Sequence, residues 1–157
     1  MALNEFQKRS KAGFPIDAIR NDSKVRLEIT LDTYEFTWNC PSTNAPDFGK
    51  VIITYTPDKR IAETKALKYY LMKYRYLNAF NEELTNRILL DFIYFINPKK
   101  VKVVLAQNPR GGTANTCTGE WDSSNEDDVE SYARLNYTPK KDFRGGWPML
   151  VDKAPAK

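Results

Sequence analysis

The segment from Glu82 to Ile96 limits the possible folds more than any other stretch. Its apolar residues Leu84, Ile88, Leu89, Phe92, Ile93, Phe95 and Ile96 recur at helical spacing around much of the circumference, and Pro98 cannot continue the helix. A helix this apolar must be buried, either under a sheet or in a subunit interface. Strands for such a sheet lie on both sides of it in the chain. Residues 24–31, KVRLEITL, alternate polar and apolar with Val25, Leu27, Ile29 and Leu31 on one side, the period of a half-buried strand. The β-branched run KVIITYT at 50–56 ends at Pro57 and Asp58 and is antiparallel to the first strand if the connection is a hairpin-like return. Between 62 and 77 the period changes: Leu67, Tyr70, Leu71 and Tyr74 fall at helical spacing, leaving Lys65, Lys68 and Arg75 for another face. VKVVLAQ at 101–107 and GTANTCTGEW at 112–121, joined by the turn-like NPRGG, supply two more strands. The order is β-β-α-α-β-β, an α+β domain at 24–121, with an N-terminal arm at 1–23 and a C-terminal arm or tail at 122–157 that docking on a neighbour would order.

Composition narrows the function. At 157 residues the chain is read as one domain. No apolar run approaches the roughly 18 residues of a membrane span, and the amino terminus lacks the continuous apolar core of a secretory signal, so a cytoplasmic address is expected. With two cysteines and no histidine, soft ligands are scarce; reduced thiols and no metal site are expected. The net charge of +4 is spread along the chain, apart from the acidic NEDDVE at 125–130, and this gives little support to a nucleic-acid partner.

Four short motifs carry chemistry. FTWNCPSTNAPDF at 36–48 places Cys40 and Asp47 seven positions apart on a proline-punctuated loop. The thiolate is the reactive form of cysteine, and with no imidazole in the chain Asp47 is the first candidate for its proton partner. The pair reads either as nucleophile and acid or as a small buried residue and a turn cap; Cys117, flanked by threonines, reads as structural. ETKALKYY at 63–70 sets Glu63 at a helix start with Lys65 and Lys68 three apart, equally the pattern of a dipole partner and a solvated face. NEE at 81–83 brings Glu82, whose carboxylate can accept two N–H bonds from a guanine-like edge, although helix-start charge explains it as well. NPRGG at 108–112 offers Arg110 and a backbone at Gly111 that can approach an anion closely, or a plain hairpin turn.

In this order the four motifs, from about Phe36 to Trp121, resemble the 7-cyano-7-deazaguanine reductase (QueF) family of the tunnelling fold. The resemblance implies a four-stranded antiparallel sheet with two helices on one face, assembled into an oligomeric barrel whose sites lie between subunits. It implies that Cys40 attacks the nitrile carbon to give a covalent thioimide while Asp47 handles the proton. Two hydrides from NADPH would then yield the aminomethyl base. Glu63 and Glu82 would grip the deazapurine, and Lys65, Lys68, Arg110 and Gly111 would lie near the cofactor phosphates. Asn81 stands where the family has a histidine and Thr64 is a second, milder departure; Asn holds a hydrogen-bond position but does not shuttle protons near neutral pH. That favours an alternative: a non-redox relative that decarboxylates 7-carboxy-7-deazaguanine in viral DNA modification or forms an amidine on tRNA, the cases in which a nucleic acid enters. A third reading is a binding protein that kept the fold without turnover.

Overall fold

The computed structural model describes residues 2–140. Its elements run α1 (Glu5–Lys11), β1 (Ala18–Arg20), β2 (Ile29–Asn39), β3 (Pro46–Thr56), β4 (Arg60–Ala62), α2 (Thr64–Met72), a 3₁₀ turn (Lys73–Tyr76), α3 (Asn81–Ile96), β5 (Lys100–Arg110), β6 (Thr113–Asp122) and α4 (Glu126–Arg134). Four strands form an antiparallel sheet in the order β2-β3-β5-β6, and β1 pairs with β4 as a small second sheet. This is the expected tunnelling-fold order: α2 and the 3₁₀ turn cover the β2 side of the sheet and α3 covers β5 and β6.

The alternation of the central strands explains the layering. Val51, Ile53 and Tyr55 of β3 lie beside Leu105, Val103 and Val101 of β5, and all six are buried beneath the helices. Leu84, Ile88, Phe92 and Ile96 repeat every four residues along α3 and are essentially inaccessible, with the Phe92 ring 4.8 Å from that of Tyr55. Each such side chain contributes about 1.5–3 kcal/mol through burial, which is why the most apolar helix is laid on the sheet. At its end Asn97 takes a left-handed conformation (φ 48°) and Pro98 follows.

Several boundaries differ from those read in the sequence. The first long strand is Ile29–Asn39 rather than 24–31: Val25 is 70% exposed, whereas Phe36, Trp38 and Cys40 are buried. The reason is an irregularity in the β2–β3 ladder between Thr33 and Phe36, which shifts the inward set from Ile29, Leu31 and Thr33 to Phe36, Trp38 and Cys40. Residues 36–39 are therefore strand, and only residues 40–45 form the loop before β3. The helix expected at 62–77 is α2 followed by a tighter 3₁₀ turn, and the strands expected at 101–107 and 112–121 reach Arg110 and Asp122, leaving Gly111 and Gly112 as the turn. The segment read as an N-terminal arm supplies Phe14 and Ile16 to the core. Of the arm drawn at 122–157, residues 126–134 form α4, and residues 141–157 lie outside the described residues.

One buried polar cluster joins the helices. Asp91, 1% exposed, accepts from the Tyr70 hydroxyl at 2.6 Å and from the Tyr137 hydroxyl, and its Oδ2 lies 3.8 Å from both Lys73 Nζ and Arg87 Nε. Burial pulls Lys73 down to about 8 against the opposing attraction of Asp91. Removing the carboxylate charge would leave two buried cations without it, which is costlier than any one of the hydrogen bonds. Asp91→Asn is expected to lower stability by about 3 kcal/mol, read as a lower urea midpoint at unchanged slope; an unchanged midpoint would show that the cluster contributes little.

Candidate active site

The inward face of the sheet is apolar at its centre and polar at one end. Cys40, Asp47, Gln107 and Asn115 continue the same inward rows that supply Trp38, Val51, Leu105 and Cys117. The first residues of α3 arrive over that polar end. Their position is fixed by β2: the Asn39 amide donates to Leu77 O (2.9 Å) and the Ala79 amide donates to Asn39 O (3.0 Å). The cysteine loop closes on itself through Cys40 N to Ala45 O (2.9 Å) and Asn44 N to Cys40 O (2.8 Å), with Asn44 at φ 57°, a conformation asparagine tolerates. Asn78 Nδ2 then donates to Asn44 Oδ1 at 2.9 Å, tying the loop to the entry of α3.

Cys40 is 8% exposed and Asp47 4%. The Thr43 hydroxyl lowers the thiol's pKa most, with the Ser42 and Thr43 amides and Arg110 adding to it, while burial opposes them. Asp47 takes its strong bond from the opposite hairpin: Arg110 Nη1 donates to Asp47 Oδ1 at 2.6 Å. The β5–β6 turn that carries Arg110 needs φ of 57° at Gly111 and 79° at Gly112, which glycine adopts without strain. Gly49 has a separate reason: a Cβ there would sit 2.5 Å from Ala106 O, so only glycine lets β3 approach β5 between Asp47 and Gln107.

Asn81 is buried, and its Nδ2 donates to Gln107 Oε1 at 2.7 Å. Turning the Gln107 amide over places its oxygen 3.0 Å from both Arg110 Nε and Nη2. Arg110 thus links Asp47, Cys40 and the turned Gln107 amide, and Gln107 lies against Asn81 in either orientation. Glu82 stands exposed beside them and accepts from Asn115 Nδ2 at 3.3 Å. Burial, then Glu82, raises the Cys117 thiol's pKa. That fits a structural reading of Cys117.

Glu63, Lys65 and Lys68 form a separate group at the head of α2. Glu63 is the N-cap, accepting from the Lys65 and Ala66 amides at 2.9 and 2.8 Å, which hold its carboxyl below the usual range. Lys65 Nζ lies 3.9 Å from Glu5 Oε1, and Lys68 Nζ stands 5.0 Å from the centroid of the Tyr69 ring. The bonds of this group run to α1 and to its own helix, not to the Cys40 cluster. A cleft of about 340 Å³ between β2 and α2 is lined by Leu31, Phe36, Leu67, Lys68, Leu71 and Arg75, among others, at the small end of the range for ligand pockets.

Sequence reasoning passed over Thr43, Gln107, Asn115 and Arg75. A signal for Gln107 was present: it occupies the inward place in the alternation Val101, Val103, Leu105, where an apolar side chain would be the norm.

A family model described as "QueF-like protein" matches residues 46–126. A Rhodopirellula baltica protein named NADPH-dependent 7-cyano-7-deazaguanine reductase is 49% identical over 99 residues, covering 62% of this chain and 81% of the relative. An Elusimicrobium minutum protein of the same name is 38% identical over 117 residues, covering 74% and 89%. Among solved structures, the apo form of an archaeosine synthase QueF-Like superposes with a TM-score of 0.55 at 21% identity, covering 63% of this chain and 95% of that one, a likeness of fold.

Since the Thr43 hydroxyl is the largest influence favouring the thiolate, Thr43→Val is expected to move the Cys40 titration upward. Alkylation at pH 7, followed on the Cys40 peptide by mass spectrometry, should slow about threefold. An unchanged rate would show that Thr43 does not support the thiolate.

Proposed function

The chain belongs to the QueF-like protein family, and from that membership we propose that it reduces the nitrile of 7-cyano-7-deazaguanine to 7-aminomethyl-7-deazaguanine with NADPH. The observation that carries this reading is a thiol whose pKa is lowered beside a buried carboxylate and a guanidinium. An electrophilic nitrile carbon calls for such a nucleophile. The Cys40 sulfur bonds to the nitrile carbon, one π bond of the nitrile breaks, and the nitrogen takes up a proton, giving a thioimide. Asp47, held by Arg110, would handle that proton. Glu82 accepts from the ring N–H and exocyclic amine of the base, and Asn81 lies at its substituent end.

Two NADPH bound in turn would supply one hydride each, each matched by a proton, and between them the carbon–sulfur bond would break to return the Cys40 thiol as the carbon reaches the amine level. The residues present fit its phosphates: Lys65 and Lys68 are exposed cations at a helix start, and Lys68 and Arg75 line a cleft with apolar Leu67 and Leu71. Arg110, its side chain 55% exposed even while bonded to Asp47, and the open backbone at Gly111 offer a further anion contact. The cleft is smaller than a whole dinucleotide, and Glu63 is bonded away from Cys40 within one chain. Both points support a homo-oligomer in which the edge strands β2 and β6 meet neighbours and one subunit completes another's site. A cytoplasmic setting suits this cofactor and the two unpaired thiols.

Asn81 favours a second reading, a non-redox reaction at the same position of a deazaguanine. A neutral carboxamide beside the substituent, in place of an imidazole, suits a different substituent. Mass analysis of the base after incubation without NADPH separates the two.

The decisive assay mixes protein, base and NADPH and follows the absorbance of the reduced nicotinamide. Consumption of about two NADPH per base is expected, abolished in Cys40→Ala together with the covalent adduct. An adduct at Cys40 with no cofactor consumption would retire the reductase reading.

A further inference from the structure

Arg110 carries its charge on a side chain 55% exposed, yet its nitrogens meet two buried acceptors from different strands. Nη1 bonds Asp47 Oδ1 at 2.6 Å, while Nε and Nη2 lie 3.0 Å from the Gln107 amide in the orientation that turns its oxygen toward them. Guanidinium is planar and rigid, so acceptors on two of its edges fix its plane as well as its position. In that orientation the nitrogen end of the same amide lies 2.7 Å from the Asn81 carboxamide, which accepts from it once turned over in the same way. It is 8% exposed, and its place in the alternation of β5 asks only for an apolar side chain.

We infer that Gln107 is a positioning residue: its carboxamide holds the Arg110 guanidinium in the orientation that faces the Cys40 sulfur, and joins it to Asn81 at the substituent end of the pocket. The Thr43 hydroxyl and the Ser42 and Thr43 amides of its own loop, with Arg110 from the β5–β6 hairpin, favour the thiolate of Cys40, while burial opposes it. Behind Arg110 stand Asp47 from β3 and Gln107 from β5, and Arg110 brings a positive charge to the groups that favour the thiolate. Gln107, bonded to the guanidinium, acts on the thiol through it. Its meaning for catalysis rests on the reductase reading, but its test needs neither substrate nor cofactor.

The test measures Cys40 alkylation by iodoacetamide against pH, read on the Cys40 peptide, for the parent, Gln107→Met and Gln107→Glu. Met keeps length and volume without bonding to the guanidinium, so alkylation at pH 7 is expected to slow about threefold with the midpoint moved upward. Glu retains the acceptor but puts a second carboxylate against Arg110, and the midpoint should rise further, with roughly tenfold slower alkylation. Near-UV circular dichroism identifies a variant that fails to fold, and the remaining variant then decides. Midpoints equal to or below the parent's in a folded variant would overturn the inference, leaving Gln107 a buried filler. A parent that consumes no NADPH but shows both upward shifts would sink the reductase reading and keep this one.

Discussion

The ion pair between Arg110 and Asp47 organises the reactive end of the molecule. It closes the distance between the hairpin after β5 and the start of β3, elements 63 residues apart in sequence. Asp47 is buried, and a carboxyl group taken out of water needs a polar partner to compensate its lost hydration. The partner's exposed side chain therefore cannot wander, and the thiol acquires a cationic neighbour in a chain that has no imidazole to offer. Lose the pair and the buried carboxyl group is left without its partner while the cation loses its fixed position.

The fold supports this arrangement from two directions. From below, the antiparallel register aligns the polar ends of the strands, so that Asp47, Gln107 and Asn115 emerge from one edge of an otherwise apolar face. From above, the bridge of Asn39 to the segment around Asn78 brings the first turn of α3 over the cysteine loop. Helix burial and site assembly are the same event: the apolar stripe of α3 that seals the sheet also delivers Asn81 and Glu82.

Much of the architecture was legible because the hydrophobic period changes cleanly between elements. The stripe of α3 and the alternation of β3 and β5 are strong local signals, and Gly111 with Gly112 marked the turn. Strand β2 was misplaced because its inward set changes parity part way along, and no single period spans Ile29 to Cys40. In the site, Cys40, Asp47, Asn81 and Arg110 could be named from spacing and resemblance. That Arg110 turns to Asp47 depends on the register of two hairpins, which residue types do not encode locally. The cap formed by Glu63 was open in the sequence as one of two readings, and its two amide bonds describe what it does within a single subunit.

The irregularity between Thr33 and Phe36 has a wider meaning for how this chain can change over time. Because side chains alternate sides at every step, one residue lost or gained upstream of Phe36 without compensation in the ladder would exchange the inward and outward sets of everything that follows. Trp38 would turn toward water, and the sulfur of Cys40 would leave the side of the sheet on which its guanidinium waits. A change of length ahead of Ile29 leaves this parity alone, whereas at Tyr34 and Glu35 the number of residues sets which side of the sheet Cys40 faces.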